Sequence, residues 1–134
     1  MLNEINIALN LPSELNKPYL VKADDKLFNI LSNGFFTGIT ATASGFYGPQ
    51  GRTLRLTPAV PDLNERMMHF VHNNLNITNF EMETSALYGL SRLLGHKACT
   101  ACAIIANRAN LEYSKNYKPT MDLLIRTVLE RLTK

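Results

Sequence analysis

Asn79-Phe80-Glu81-Met82-Glu83-Thr84-Ser85-Ala86 is the stretch on which the fold turns. It sets two carboxylates two residues apart, directly ahead of a run with the pattern of a buried helix. Strand-like spacing sends Glu81 and Glu83 to one side of the chain and Met82 to the other. Acidic groups placed where an apolar core begins are costly unless something binds them. One interpretation is purely structural: Glu83 serves the first turn of the helix, where the dipole and the unpaired amides favour a carboxylate. The other is a ligand site, and the flanking segments weigh between the two.

Downstream, Glu83 to Leu94 is apolar almost all round, with Ala86, Leu87, Leu90, Leu93 and Leu94, and Gly95 closes it. That pattern predicts a helix buried against a sheet. Lys97 to Ala106 (KACTACAIIA) is a continuous apolar run, as expected of a strand covered on both faces, and Asn107-Arg108 follow at its C-terminal end. Glu112 to Pro119 is a polar loop, after which Thr120 is expected to cap an amphipathic helix running through Leu132.

Upstream, Asn76 to Met82 has the pattern of a short strand. Asp62-Leu63-Asn64-Glu65 has the spacing of a capping box, with Asp62 as the cap, opening a helix that carries Met67, Met68, Phe70 and Val71 and ends in Asn73-Asn74. Thr53 to Pro61 is extended and broken by prolines. Phe35 to Ala43 (FFTGITATA) is Thr-rich and β-branched, predicts a strand, and runs into the loop Phe46-Tyr47-Gly48-Pro49-Gln50-Gly51-Arg52. Asp24 and Asp25 open a short helix that Asn33-Gly34 ends; Asn10 to Tyr19, with two prolines, is a connection. Met1 to Leu9 has the pattern of a helix tail without a cap ahead of it, which suggests a start partway through a larger domain. The alternation of strands and helices indicates an α/β layer architecture. Three segments deliver polar groups at strand ends, where α/β folds bind ligands: Gln50/Arg52, Glu81/Glu83 and Asn107/Arg108. Their convergence raises the ligand-site interpretation above the structural one.

With 134 residues and 46% hydrophobic content, the chain fits one domain with a real core. Fourteen basic against eleven acidic side chains give +3, spread without the basic block of a nucleic-acid surface. No apolar run approaches membrane-spanning length, and no charged-then-apolar leader opens the chain. A cytoplasmic protein, with no nucleic-acid or membrane partner, is the expectation.

Several weaker signals have bland explanations. Cys99-Thr100-Ala101-Cys102 is formally C-x-x-C, but a redox pair needs its first cysteine at a helix N-terminus, and here both fall in a β-run. Buried structural cysteines are expected. His69 and His72 have i, i+3 helical spacing, but no complementary ligand pair accompanies them, so no metal is expected. His96 follows the capping glycine and is expected at the surface. The glycines from Gly45 to Gly51 lack the phosphate-loop spacing and its lysine, which favours a shaped substrate loop.

The aromatic-Gly/Pro-Gln-x-Arg loop of Phe46 to Arg52, the Glu81-Met82-Glu83 entry to a helix, and the apolar run ending in Asn107-Arg108 together resemble the nucleoside phosphorylase family. The likeness runs from about Phe35 onward and is to the C-terminal half of its uridine-cleaving branch. It implies a partial nucleoside phosphorylase-like three-layer α/β fold, a mixed sheet flanked by helices. On that likeness, residues 1–134 are the C-terminal part of such a domain, with the N-terminal phosphate-binding half outside them.

The resemblance also implies roles. Gln50 and Arg52 would read uracil, since an amide offers one donor and one acceptor and a guanidinium adds charged donors. Phe46 would pack on the base, Glu83 would hold the ribose hydroxyls, and Met82 would lie along the sugar. Glu81 would line the same pocket, and Arg108 would support the base. The implied reaction is phosphorolysis of uridine to uracil and ribose 1-phosphate, with phosphate as co-substrate, no other cofactor, and Arg52 and Glu83 as the catalytic pair. Purine-cleaving relatives carry an Asp at the end of the last strand; Ala106-Asn107-Arg108 stand here, which favours pyrimidines over a purine phosphorylase or nucleosidase. The family's phosphate ligands come from its N-terminal half and a neighbouring subunit. A homo-oligomer or a complementing N-terminal half is therefore the expected partner. A truncated remnant that binds a nucleoside, or acts as an interaction fragment without turnover, is the contrasting possibility.

Overall fold

The computed structural model describes residues 1–108 and 110–134, in which helices and strands alternate much as the hydrophobic pattern requires. In chain order they are α1 (Leu2–Leu9), α2 (Asp25–Leu31), β1 (Ile39–Thr42), a 3-10 turn (Gly48–Gln50), α3 (Leu63–His69), β2 (Val71–His72), β3 (Leu75–Glu81), α4 (Thr84–Leu93), β4 (Ala106–Asn107), β5 (Glu112–Tyr113) and α5 (Lys118–Leu132). Two units result: residues 1–22 with 37–96, and residues 23–36 with 97–134.

The first unit is built on a mixed three-stranded sheet in the order β1-β3-β2, with β1 parallel and β2 antiparallel to β3. Thr40 lies opposite Asn79, Ala41 opposite Phe80 and Thr42 opposite Glu81. Because side chains alternate along a strand, the two faces differ in chemistry. Ala41 and Phe80 pack on a core of Ile5 and Leu9 from α1, Met67 from α3, and Phe70. Each such large side chain, fully buried, contributes roughly 1.5–3 kcal/mol. Thr40, Thr42, Asn79 and Glu81 project together from the other face, and the Thr40 hydroxyl donates to Asn79 Oδ1 at 2.7 Å. A Cβ at Gly38 would sit 2.3 Å from Thr78 Cγ2 and 2.9 Å from the Asn76 carbonyl oxygen, so only glycine lets the chain enter β1 this close to β3. Arg66 of α3 donates to the carbonyls of Leu9 and Asn10 at 2.6 and 3.2 Å, closing the C-terminus of α1.

In the second unit, the Asp24 carboxylate accepts the Leu27 N–H at 3.0 Å and caps α2. Arg131 of α5 donates to the Leu31 carbonyl at the other end of that helix and lies 4.9 Å above the Phe35 ring. β4 and β5 form a short antiparallel ladder, Ala106 opposite Tyr113 and Asn107 opposite Glu112.

Several expectations need correction. Lys97 to Ala106 is not a continuous strand: only Ala106–Asn107 enters a ladder. Of the two cysteines in that run, Cys99 is half-buried and Cys102 exposed, and they form no disulfide. The strand expected over Phe35 to Ala43 shortens to Ile39–Thr42. Helix α3 stops at His69, and Val71–His72 instead pairs with Leu75 and Asn76 across a two-residue turn. Both turn residues, Asn73 (φ 48) and Asn74 (φ 65), are left-handed, the requirement of a type I′ hairpin. His69 and His72 therefore do not share a helix face. The Asp62 side chain makes no capping bond; it pairs with the Arg66 Nε at 2.8 Å, which holds its carboxyl below the usual range. Helix α5 begins at Lys118, with Pro119 in its first turn where a missing N–H costs nothing, rather than being capped by Thr120. Helix α4 forms and ends as expected, with His96 N–H on the Ser91 carbonyl at 2.7 Å and Gly95 at φ 74, but it is not buried. Leu87, Leu90, Leu93 and Leu94 are all more than half exposed.

Candidate functional site

The segment leaving β1 is shaped by its glycines and proline. The Tyr47 carbonyl accepts the amides of both Gln50 and Arg52 at 3.0 Å, and Gly51 turns the chain at φ 70. This tight turn drives Gln50 inward, where it is only 3% exposed, and Asn64 Nδ2 donates to its carbonyl at 3.4 Å. Arg52 folds back over the turn. It donates to Gln50 Oε1 at 2.6 Å and to the Phe46 carbonyl, and its guanidinium carbon lies 3.6 Å from the Phe46 ring centroid. That stacking is a cation–π contact, and Tyr47 meets the same ring edge-on at 5.2 Å. The amide and guanidinium are thus held as a pair, and one face of Phe46 is covered by Arg52.

The segment leaving β3 is organised by Glu81. Its Oε2 accepts the Glu83 and Thr84 amides, each at 2.7 Å, and its Oε1 accepts the Thr42 hydroxyl at 2.5 Å. Partial burial opposes ionisation, but these three donors, with the Thr84 side chain as a fourth, outweigh it and hold the carboxyl below its ordinary value. Thr42 also accepts the Ser85 N–H at 3.0 Å, and Tyr19 donates its hydroxyl to Ser85 Oγ at 3.0 Å. Met82 and Glu83 face solvent, and the Glu83 carboxylate takes the Met82 N–H at 3.2 Å. The helix-start interpretation therefore applies, but to the other acid: Glu81, not Glu83, satisfies the first amides of α4.

The two segments leave the sheet side by side. β1 and β3 are parallel neighbours, and the Ala43 N–H donates to the Glu81 carbonyl at 2.8 Å where they end. Phe46, Gln50, Arg52, Glu81, Met82 and Glu83 all belong to the first unit, whereas Arg108 follows β4 in the second and is half-buried. The six lie at the C-terminal ends of adjacent parallel strands, with aromatic and carboxylate groups open to solvent. They do not line the hollow beside α1 and α3. That hollow, of about 590 Å³, is bordered by Glu4 and Ala8 of α1, by Asp62, Glu65, Arg66 and His69, and by Phe70 and Val71. Beside it, His72 Nδ1 is paired with the Glu4 carboxylate, which lowers the pKa of that acid.

Sequence reasoning missed Thr42, Ser85, Tyr19 and Asn64. Thr42 had one usable signal, its place as the last residue of a Thr-rich strand. The other three depend on contacts 14 or more residues distant along the chain. Among the described residues no cluster of three or more His, Cys, Asp or Glu side chains could hold a metal ion. No helix among them is long and apolar enough to cross a membrane.

A mixed sheet flanked by helices, with the candidate side chains following neighbouring parallel strands, defines a protein of the mixed α/β class. Residues 14–130 match the family model described as the phosphorylase superfamily, and the chain belongs to that family. It is 37% identical over 87 residues to a uridine phosphorylase of Thermococcus kodakarensis, a match covering 60% of this chain and 28% of that protein. Its fold superposes with a TM-score of 0.77 on a Trypanosoma brucei nucleoside phosphorylase whose crystal structure is described as showing uridine phosphorylase activity. That match, at 29% identity, covers 84% of this chain and 42% of the trypanosome chain. The chain thus spans well under half the length of these relatives.

Proposed function

We propose that this chain carries the nucleoside-holding part of a uridine phosphorylase, and that turnover requires the remainder of the domain. Phosphate would attack the anomeric carbon of uridine, the glycosidic bond would break, and uracil and ribose 1-phosphate would leave. The transition state would resemble an oxocarbenium ion, with negative charge gathering on the departing base. Arg52 would oppose that charge, and because Gln50 and the Phe46 carbonyl already hold its guanidinium, little reorganisation would accompany the reaction. Gln50 would complete recognition of the pyrimidine edge, and Phe46 would pack against the base with the ring face that Arg52 leaves uncovered. Glu83, exposed on the turn after β3, would accept the ribose hydroxyls, with Met82 along the sugar and Glu81 bordering the site. By the family resemblance, Arg108 would support the base.

The observation that carries this reading is the registered exit of both segments from two parallel neighbours, with Thr42 tied to Glu81 across the strand ends. Phosphate would be held by the segment outside residues 1–134, supplied by an N-terminal half or by a neighbouring subunit of an oligomer. The alternative is a remnant that retains nucleoside binding without turnover. A purine substrate ranks lower, since Asn107 and Arg108 stand where an acidic group would serve a purine. Uridine cleavage in phosphate, assayed on the 134 residues alone and again with the N-terminal half of a relative added, separates these cases. Uracil release with the added half is expected. Uridine binding without release under either condition would leave only the remnant reading.

A further inference from the structure

The two acids of the Glu81-Met82-Glu83 turn have opposite surroundings. A carboxylate offers about four lone-pair directions. Glu81 has all four of them engaged, by two backbone amides at 2.7 Å, by the hydroxyl of Thr42 and by the side chain of Thr84. Thr84, whose amide is one of those donors, is only 5% exposed, so losing this acceptor would strand an N–H away from water. The Thr42 hydroxyl has one proton, and it is committed to Glu81, while the oxygen accepts the Ser85 N–H. Sheet, carboxylate and first helical turn are therefore joined by a directed chain of bonds. Glu83 sits outside that chain and faces solvent.

We propose that Glu81 is a positioning residue, anchored by Thr42, which fixes the backbone that presents Glu83, and that Glu81 itself contacts no sugar hydroxyl. This rests on the nucleoside reading above for what Glu83 engages, while the anchoring itself does not. Engaging a ribose hydroxyl with Glu81 would require giving up a backbone amide or one of the two threonine bonds. The depressed pKa of Glu81 accords with a carboxylate that stays ionised as an acceptor of fixed donors.

The test compares Thr42→Val, which keeps the shape and removes the hydroxyl, with Thr42→Ser, which restores it, and with Glu81→Gln. Amide hydrogen exchange at Glu83, Thr84 and Ser85 is measured on the full chain, and titrations with uridine and with uracil follow. Thr42→Val and Glu81→Gln are expected to speed exchange at those amides. They should also weaken uridine on the order of tenfold, the loss of one well-placed charged hydrogen bond, while uracil affinity holds. Thr42→Ser should restore both. Unchanged exchange in Thr42→Val would overturn the anchoring. So would uridine affinity that is lost in Glu81→Gln but intact in Thr42→Val, the mark of a direct sugar ligand. Equal weakening of uridine and uracil would reduce the effect to general destabilisation and overturn the positioning role. If the unaltered chain binds neither ligand, the nucleoside reading fails, and the exchange measurement alone decides the anchoring.

Discussion

Gly51→Ala is expected to destabilise the first unit by about 1.5–3.5 kcal/mol, and Gly48→Ala, three residues away, to leave it unharmed. Gly51 lies at φ 70, where an L-residue costs roughly 1–2 kcal/mol. An added Cβ would also stand 2.7 Å from Asn64 Nδ2 and 3.0 Å from Asn64 Cγ, so that side chain must swing away. Its bond to the carbonyl of buried Gln50 would go with it, at a further cost of about 0.5–1.5 kcal/mol. Gly48 opens the same turn, but a Cβ there meets nothing within 4 Å. Removing glycine freedom from the unfolded chain should even favour Gly48→Ala slightly, by about 0.4–1 kcal/mol. Urea unfolding followed by tyrosine fluorescence distinguishes the two. With a slope of roughly 1–3 kcal/mol per molar, the Gly51→Ala midpoint should fall by about 0.5 M or more. Equal midpoints for the two variants would refute the left-handed turn, and with it the inward drive on Gln50.

Arg52→Ala should remove about 2–4 kcal/mol of transition-state stabilisation in any assembly that cleaves uridine, as loss of one preorganised donor does elsewhere; an unchanged kcat/KM would contradict its assigned role. Glu81 has a folded-state pKa below its ordinary 4.5, so its contribution to stability is complete above that value and is lost as pH falls through the folded-state pKa. Glu81→Gln should therefore be less stable than the unaltered chain at neutral pH, with the gap closing below about pH 4.5; a gap that persists unchanged in acid would argue against a charged acceptor. Asn74→Ala should cost about 1 kcal/mol, because Asn74 turns the β2–β3 hairpin at φ 65, while Asn74→Gly should be tolerated. Thermal melts of the two variants test this, and equal melting temperatures would count against the turn.

What was legible in the sequence, and what was not, follows from how local each signal is. The Asp24 cap, the Gly95 stop and the strand before Glu81 depend on residues within a turn or two, and all three form. The two β-rich runs mark β1 and β3 as strands, while their parallel pairing is a long-range fact that neither run carries. Asn73-Asn74 was misjudged as a helix end because two asparagines suit either a helix stop or a left-handed hairpin turn. The choice depends on Leu75 finding His72. Asp62 had the spacing of a cap, but Arg66 one turn on competes for the same carboxylate and takes it. Burial was the least legible quantity. The leucines of α4 and the run from Lys97 to Ala106 have the composition of a core, but whether such residues are covered depends on neighbours that local pattern does not supply. Within the site, the division of labour between two similar acids depended on Thr42, 39 positions upstream of Glu81, and no spacing rule points there.

Amide chemical-shift mapping of the isotopically labelled 134-residue chain with uridine tests the strand-end site most directly. The expected result is a set of shifts confined to residues 46–52 and 81–85, with uracil alone moving the first group and leaving the second in place. Shifts centred on Glu4, Asp62, Arg66 and His69, which border the hollow beside α1 and α3, would place the ligand elsewhere and contradict the strand-end site.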